Sequence, residues 1–158
     1  MESNKDKKVM QRQCLINRYA SQLYRTSISY YDRYLKEYGI SSGMQFFLTR
    51  IYENPGITMA ELADKGRFDK GTTTRAVKKL HAEGYVKLSL NENDKRSQNL
   101  FLTEEAMNVL DAAYQALLDW EEIITDSMSE EEIKMCETLM KKVADSSYQY
   151  IKRQGGYR

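Results

Sequence analysis

Apolar residues recur at helical spacing through most of this chain and alternate strictly in one short stretch. The first helical pattern runs from about Lys7 to Tyr38, with Leu15, Tyr19, Leu23 and Tyr30 on one face. Ile16, Ala20, Ile28, Tyr31 and Leu35 widen that face, which predicts a helix buried on more than one side and stopped by Gly39. Ser42 with Gln45 reads as a capping box opening a helix to about Glu53, closed by Asn54-Pro55-Gly56. Thr58 with Glu61 is a second box, stapled by Ile57 and Leu62, and Gly66 ends that short helix. Asp69 reads as the N-cap of a helix to about Glu83, with Gly84 as its stop. Thr103, followed by Glu104 and Glu105, opens another helix, and Ser129 with Glu132, stapled by Met128 and Ile133, opens the last.

Between Gly84 and Thr103 the period drops to two. Val86, Leu88 and Leu90 alternate with Lys87 and Ser89, and Leu100 and Leu102 alternate with Asn99 and Phe101 beyond the polar run Asn91-Glu92-Asn93-Asp94-Lys95-Arg96. That is a β-hairpin with a charged tip. The fold class is therefore mainly α with a small β-hairpin wing (α+β). A short helix, a tight link, a longer helix and a hairpin, in that order, are the parts of a winged helix-turn-helix.

Charge sharpens the picture. The chain's formal net charge is only +1, which taken alone argues against a nucleic-acid binder. Its distribution argues the other way: Lys65 to Arg96 holds nine basic and four acidic residues, a local +5. Thr103 to Ser127 holds seven acids and no Lys or Arg, a local −7. One segment suits a polyanion and the next is repelled by it. The helix after Asp69 begins Lys70-Gly71-Thr72-Thr73-Thr74-Arg75, small hydroxyls and cations without a bulky outward apolar residue. Such an end fits a major groove about 12 Å wide, and an arginine at a hairpin tip fits a narrow minor groove.

These residues carry a family resemblance. Thr58-Met59-Ala60-Glu61-Leu62-Ala63, Asp69 to Arg75, Leu80 with Glu83-Gly84-Tyr85, and Asp94-Lys95-Arg96 before Leu102-Thr103 resemble the MarR (multiple antibiotic resistance regulator) family of bacterial transcription regulators. The resemblance spans nearly the whole chain, and Asp94-x-Arg96 followed by Leu-Thr-Glu is its most specific part. It implies that Thr72, Thr73, Thr74 and Arg75 contact bases or phosphates, with Lys70 and Lys78 near the backbone. It further implies that Arg96, oriented by Asp94 and accompanied by Lys95, reaches the minor groove. Gly71 stands where relatives often carry serine, which removes one hydroxyl.

The resemblance also implies a homodimer that binds a pseudo-palindromic double-stranded DNA operator, acts as a repressor and is released by a small aromatic effector. Residues 1–40 and 103–158 would supply the dimerisation helices and 41–102 the DNA-binding lobe. Ile133, Cys136, Met140, Val143, Ser147 and Tyr150, at spacings of three and four, form the narrow seam of helix-on-helix packing, whether within one chain or between two. Tyr24, Tyr31, Met44, Phe47 and Tyr114, with Trp120, are the candidate effector pocket, although an aromatic stripe also serves as plain core. Cys14, near the start of the first helix, is the candidate for an alternative peroxide- or thiol-sensing mode; a winged helix used for protein docking is the other alternative.

No enzymatic chemistry is indicated: the sequence has no Gly-rich phosphate loop, no nucleophile with a paired base and no His/Cys cluster, so no cofactor or metal is expected. Cys14 and Cys136 lack metal-ligand spacing, no apolar run approaches the ~18 residues of a membrane span, and the first eight residues do not resemble a signal peptide. A reducing cytoplasmic setting without membrane contact is the expectation.

Overall fold

The computed structural model describes residues 15–92 and 94–155. The elements are helix α1 (Leu15–Tyr34), a 3-10 turn (Lys36–Tyr38), α2 (Ser42–Glu53), β1 (Ile57–Thr58), α3 (Met59–Gly66), α4 (Lys70–Ala82), β2 (Val86–Leu90), β3 (Gln98–Leu102), α5 (Ala106–Thr125) and α6 (Glu130–Arg153). The expected start of the first helix at Lys7, and Cys14, lie outside the described residues. At its other end the α-helix stops four residues before Tyr38. Leu35, fully buried, turns the chain into the 3-10 segment, and Gly39 closes it at φ 70.

Sheet order is β1-β3-β2, all antiparallel. The hairpin pairs Val86 with Leu102 and Leu90 with Gln98, while β1 adds Ile57 opposite Leu100. Sequence periodicity missed β1, because a two-residue strand has no period to detect. Alternation along β2 fades toward the tip: Val86 is 1% exposed and Leu90 69%, so the outer end of the wing stands clear of the core.

The core lies where α2, α3, α4 and the sheet meet the first half of α5. Phe47, Leu48 and Ile51 of α2 pack with Leu62, Val77, Leu80 and Leu100, each at most 1% exposed. Burying side chains of this size contributes roughly 1.5–3 kcal/mol each. Ala106, Ala113 and Ala116 give α5 a smooth face against this core, and Gln45, 3% exposed, donates from Nε2 to the Ala113 carbonyl at 3.0 Å.

Two expected helix starts differ. At α2 the N-cap is Ser41, whose side chain caps nothing, and the Ser42 amide donates instead to Asp32 Oδ1 of α1 at 2.7 Å. Gln45, buried against α5, is unavailable for a box. At α5 the Thr103 hydroxyl donates to the Gly84 carbonyl at 2.7 Å, so the helix begins at Ala106 and both glutamates precede its first turn. The boxes at Thr58–Glu61 and Ser129–Glu132 are formed in full.

Helices α1 and α6 contribute no buried residue. The expectation that α1 is buried on more than one side is not met within one chain: Ile16 is 64% exposed and Tyr19 61%. Met135, Leu139, Met140, Val143 and Tyr150 of α6 are also exposed, as is Cys136. Among the described residues only Ile133 of the α6 stripe is half-buried, beside Leu23, Ile124 and Met128, and most of the rest of the stripe stays exposed within one chain.

Candidate nucleic-acid interface

Three local devices set the helix-turn-helix. First, Thr58 Oγ1 accepts from the Glu61 amide, while Glu61 Oε2 accepts from the Thr58 amide and hydroxyl, both at 2.8 Å. These bonds, the backbone one foremost, hold the Glu61 carboxyl below its ordinary range. Second, the turn after α3 is made by Arg67 at φ 55, not by Gly66, which is the last helical residue. Gly66 answers a different need. A Cβ there would lie 2.6 Å from ring atoms of both Phe46 and Phe68, so only glycine lets the two rings close over the turn. Third, Asp69 caps α4, accepting from the Thr72 amide at 2.8 Å and the Thr72 hydroxyl at 2.6 Å. The side-chain bond, then the backbone one, pulls the Asp69 carboxyl below its ordinary value.

These devices decide which α4 side chains face out. Lys70, Gly71, Arg75, Lys78 and Lys79 are exposed, and Thr72 and Thr74 are half-buried. The Thr72 hydroxyl also accepts from Arg75 Nη2 at 3.2 Å, which steadies the guanidinium along the helix. The Thr74 hydroxyl donates to the Lys70 carbonyl at 2.7 Å. Thr73 must be withdrawn from the expected contact set. It is 1% exposed beside Val77 and Leu80, and its hydroxyl donates inward to the Asp69 carbonyl at 3.1 Å. Four residues beyond Asp69 it lies on the core side of the helix. Lys79, one turn beyond Arg75, is exposed like Lys78 and adds a cation to the outward side of α4. His81 is occupied structurally, with Nδ1 2.6 Å from the Val86 carbonyl.

At the wing tip Asp94, Lys95 and Arg96 are exposed. Asp94 Oδ1 accepts from the Arg96 amide at 3.0 Å, its carbonyl accepts from the Ser97 amide at 2.8 Å, and its own amide donates to Asn91 Oδ1 at 3.0 Å. Asp94 therefore orders the backbone that carries Arg96. Cations at the α4 start reinforce the positive end of the helix dipole.

Below α4 lies a cavity of about 370 Å³ whose walls include Tyr24 and Tyr31 of α1, Phe46 and Phe47 of α2, and Phe68 and Thr72 beside the cap. Three of the five expected pocket residues, Tyr24, Tyr31 and Phe47, meet there. Met44 does not line it, being 2% exposed in the core, and neither does Tyr114, whose hydroxyl donates to Glu53 at 3.1 Å. Trp120 stacks on Tyr30 at 5.0 Å. Burial first, then Glu121 and Tyr30, pushes the Tyr31 hydroxyl up to about 12.

A short capped helix, a tight turn, a cationic second helix and a charged wing on one lobe define a winged helix-turn-helix protein of the DNA-binding class. The MarR family model matches residues 47–97. An HTH-type transcriptional regulator, BilQ, of Clostridium symbiosum is 32% identical over 117 residues, covering 74% of this chain and 81% of its own length. The chain belongs to the MarR family of DNA-binding transcription regulators, which are not enzymes. Among solved structures, a MarR protein from Peptoclostridium difficile superposes with TM-score 0.81 at 35% identity, covering 84% of this chain and 86% of that one. A mutant MarR from E. coli, complexed with operator DNA, does so with TM-score 0.76 at 25% identity, covering 84% and 95%.

Proposed function

We propose that this chain binds a pseudo-palindromic operator as a homodimer and represses transcription there until a small aromatic effector releases it. Residues 41–102 form the reading lobe, and 1–40 and 103–158 the dimerisation segments. Helix α4 enters the major groove with Thr72, Thr74 and Arg75 toward the bases and Lys70, Lys78 and Lys79 toward the phosphates. Arg96 enters the adjacent minor groove on a tip ordered by Asp94, with Lys95 beside it. The observation that carries this reading is the sidedness of α4: its inner face is apolar and sealed, and its outer face is cationic and free of apolar anchors.

Dimerisation rests on the exposed apolar faces of α1 and α6, where Ile16, Met135, Leu139 and Val143 border one groove. A second copy would remove that surface from water, and a two-fold axis would match a palindromic site. Effector release rests on the cavity, because Phe68 and Thr72 flank the Asp69 cap. A ligand wedged there shifts the start of α4.

Enrichment from random and genomic duplex pools at two salt concentrations tests the proposal. A pseudo-palindrome should emerge, with affinity falling steeply as salt rises through counterion release. No enrichment at either salt would favour a protein-docking winged helix.

A further inference from the structure

Arg67 is the only non-glycine residue at positive φ among the described residues. Its left-handed backbone, φ 55 and ψ 35, is one that glycine adopts freely and an L-residue adopts at a cost. The turn is complete without the side chain: the Arg67 amide donates to Asp64 at 3.1 Å and the Phe68 amide to Ala63 at 3.0 Å. The arginine side chain instead crosses to α6. Its Nη2 meets Asp145 Oδ1 at 2.5 Å, and its guanidinium lies 4.5 Å from the centre of the Tyr148 ring. The Tyr148 hydroxyl reaches back to Asp64 at 3.5 Å, and Lys141 flanks Asp145 at 3.4 Å. Asp145 and Tyr148 are half-buried on a helix otherwise exposed almost throughout. This contact bridges residues 78 positions apart, and Arg67 stands two residues before the cap of α4.

We infer that Arg67 is a positioning residue: with Asp145 and Tyr148 it straps the helix-turn-helix turn to α6 and sets the angle at which each recognition helix leaves the dimer. This rests on the proposed dimeric DNA binding, and it adds what determines half-site spacing. In a symmetric dimer the separation of the two α4 helices dictates the spacing accepted. A rigid strap holds one separation, and a severed strap admits several. Glycine at 67 should keep the turn, so the loss falls on geometry and not on folding.

The test is selection from a random duplex pool by wild type, Arg67→Gly and Asp145→Asn, scoring half-site sequence and spacing separately. Wild type should enrich one spacing. Both variants should keep the half-site sequence and the dimer, while preference for that spacing over neighbours shifted by about one base pair falls about five- to tenfold, the scale of a partly exposed charged contact repeated in two protomers. Asp145→Asn leaves the backbone of the turn untouched, so agreement between the variants excludes an effect of the glycine itself. Both folded variants retaining the wild-type spacing, or both losing enrichment altogether, would overturn the strap. No palindrome from wild type would overturn the DNA-binding reading first, and the strap's role with it.

Discussion

Replacing Gly66 with alanine sets two effects of opposite sign against each other. Alanine is favoured over glycine within a helix by about 1 kcal/mol, and less at the final helical residue, where Gly66 lies. Against this, the new methyl group would sit 2.6 Å from Phe46 Cε1, 2.6 Å from Phe68 Cδ2 and 2.9 Å from Phe46 Cζ. Those rings are in mutual edge contact at 5.2 Å and both also contact Phe47, at 5.4 and 5.1 Å, so a shift of either toward the cavity they border breaks ring contacts. Overpacking of this kind costs about 1–3 kcal/mol, and the steric effect wins by about 1–2 kcal/mol. For a chain of this size the midpoint of thermal unfolding should drop by roughly 2–8 °C. The cause is separable with a double-mutant cycle. Leucine at 46 lacks the ring carbons that meet the methyl group, so Gly66→Ala should cost less in a Phe46→Leu background, with coupling above about 0.5 kcal/mol. An unchanged or raised midpoint for Gly66→Ala alone would refute the close-approach account and return Gly66 to a conformational role.

Arg96→Ala should weaken binding to an enriched duplex about tenfold or more while leaving the dimer intact by sedimentation, since one specific groove contact is worth about 1–3 kcal/mol. Thr73→Val should cost about 1 kcal/mol of stability in a denaturant melt through its lost inward hydrogen bond, yet leave base preference unchanged. A changed preference would put Thr73 back on the DNA face. Four carboxylates, Glu61, Asp69, Glu132 and Asp145, titrate below their ordinary values because hydrogen bonds favour the charged form. Their stabilisation is therefore present above the unfolded values of 4.5 and 3.8 and is lost as pH falls through the lower folded values. Stability should decline on acidification below about pH 4.5, and a Thr58→Ala, Ser129→Ala double variant should flatten that decline in urea titrations.

Much of this architecture was legible from local chemistry. Caps whose partners lie three residues away, at Thr58, Asp69 and Ser129, read correctly because all their determinants are local. The hairpin was equally plain, since alternation and a polar tip need no distant partner. Most of what failed depended on tertiary neighbours. Ser42 lost its cap role to Asp32 from another helix, and Thr103 spent its hydroxyl on Gly84. Gly66 was expected to end its helix in the turn, but the turn falls on Arg67, and the glycine is needed because the rings of Phe46 and Phe68 converge on it. Thr73 was misassigned by reading three consecutive threonines as one unit, although Val77 and Leu80, four and seven residues on, already mark its side of α4 as the inward one. The pocket candidates split because of tertiary packing: Met44 and Phe47 lie three residues apart on α2, yet only Phe47 borders the cavity while Met44 is sealed in the core.

The central claim is that α4 and the wing tip read DNA together from each half of a dimer. A base-resolution footprint of wild type and Arg96→Ala on one enriched duplex tests it most directly. The account predicts two symmetric major-groove protections about one helical turn apart, or a multiple of that, each flanked by a minor-groove protection that disappears in the variant. A single unsymmetric protection, or flanks that persist without Arg96, would contradict it.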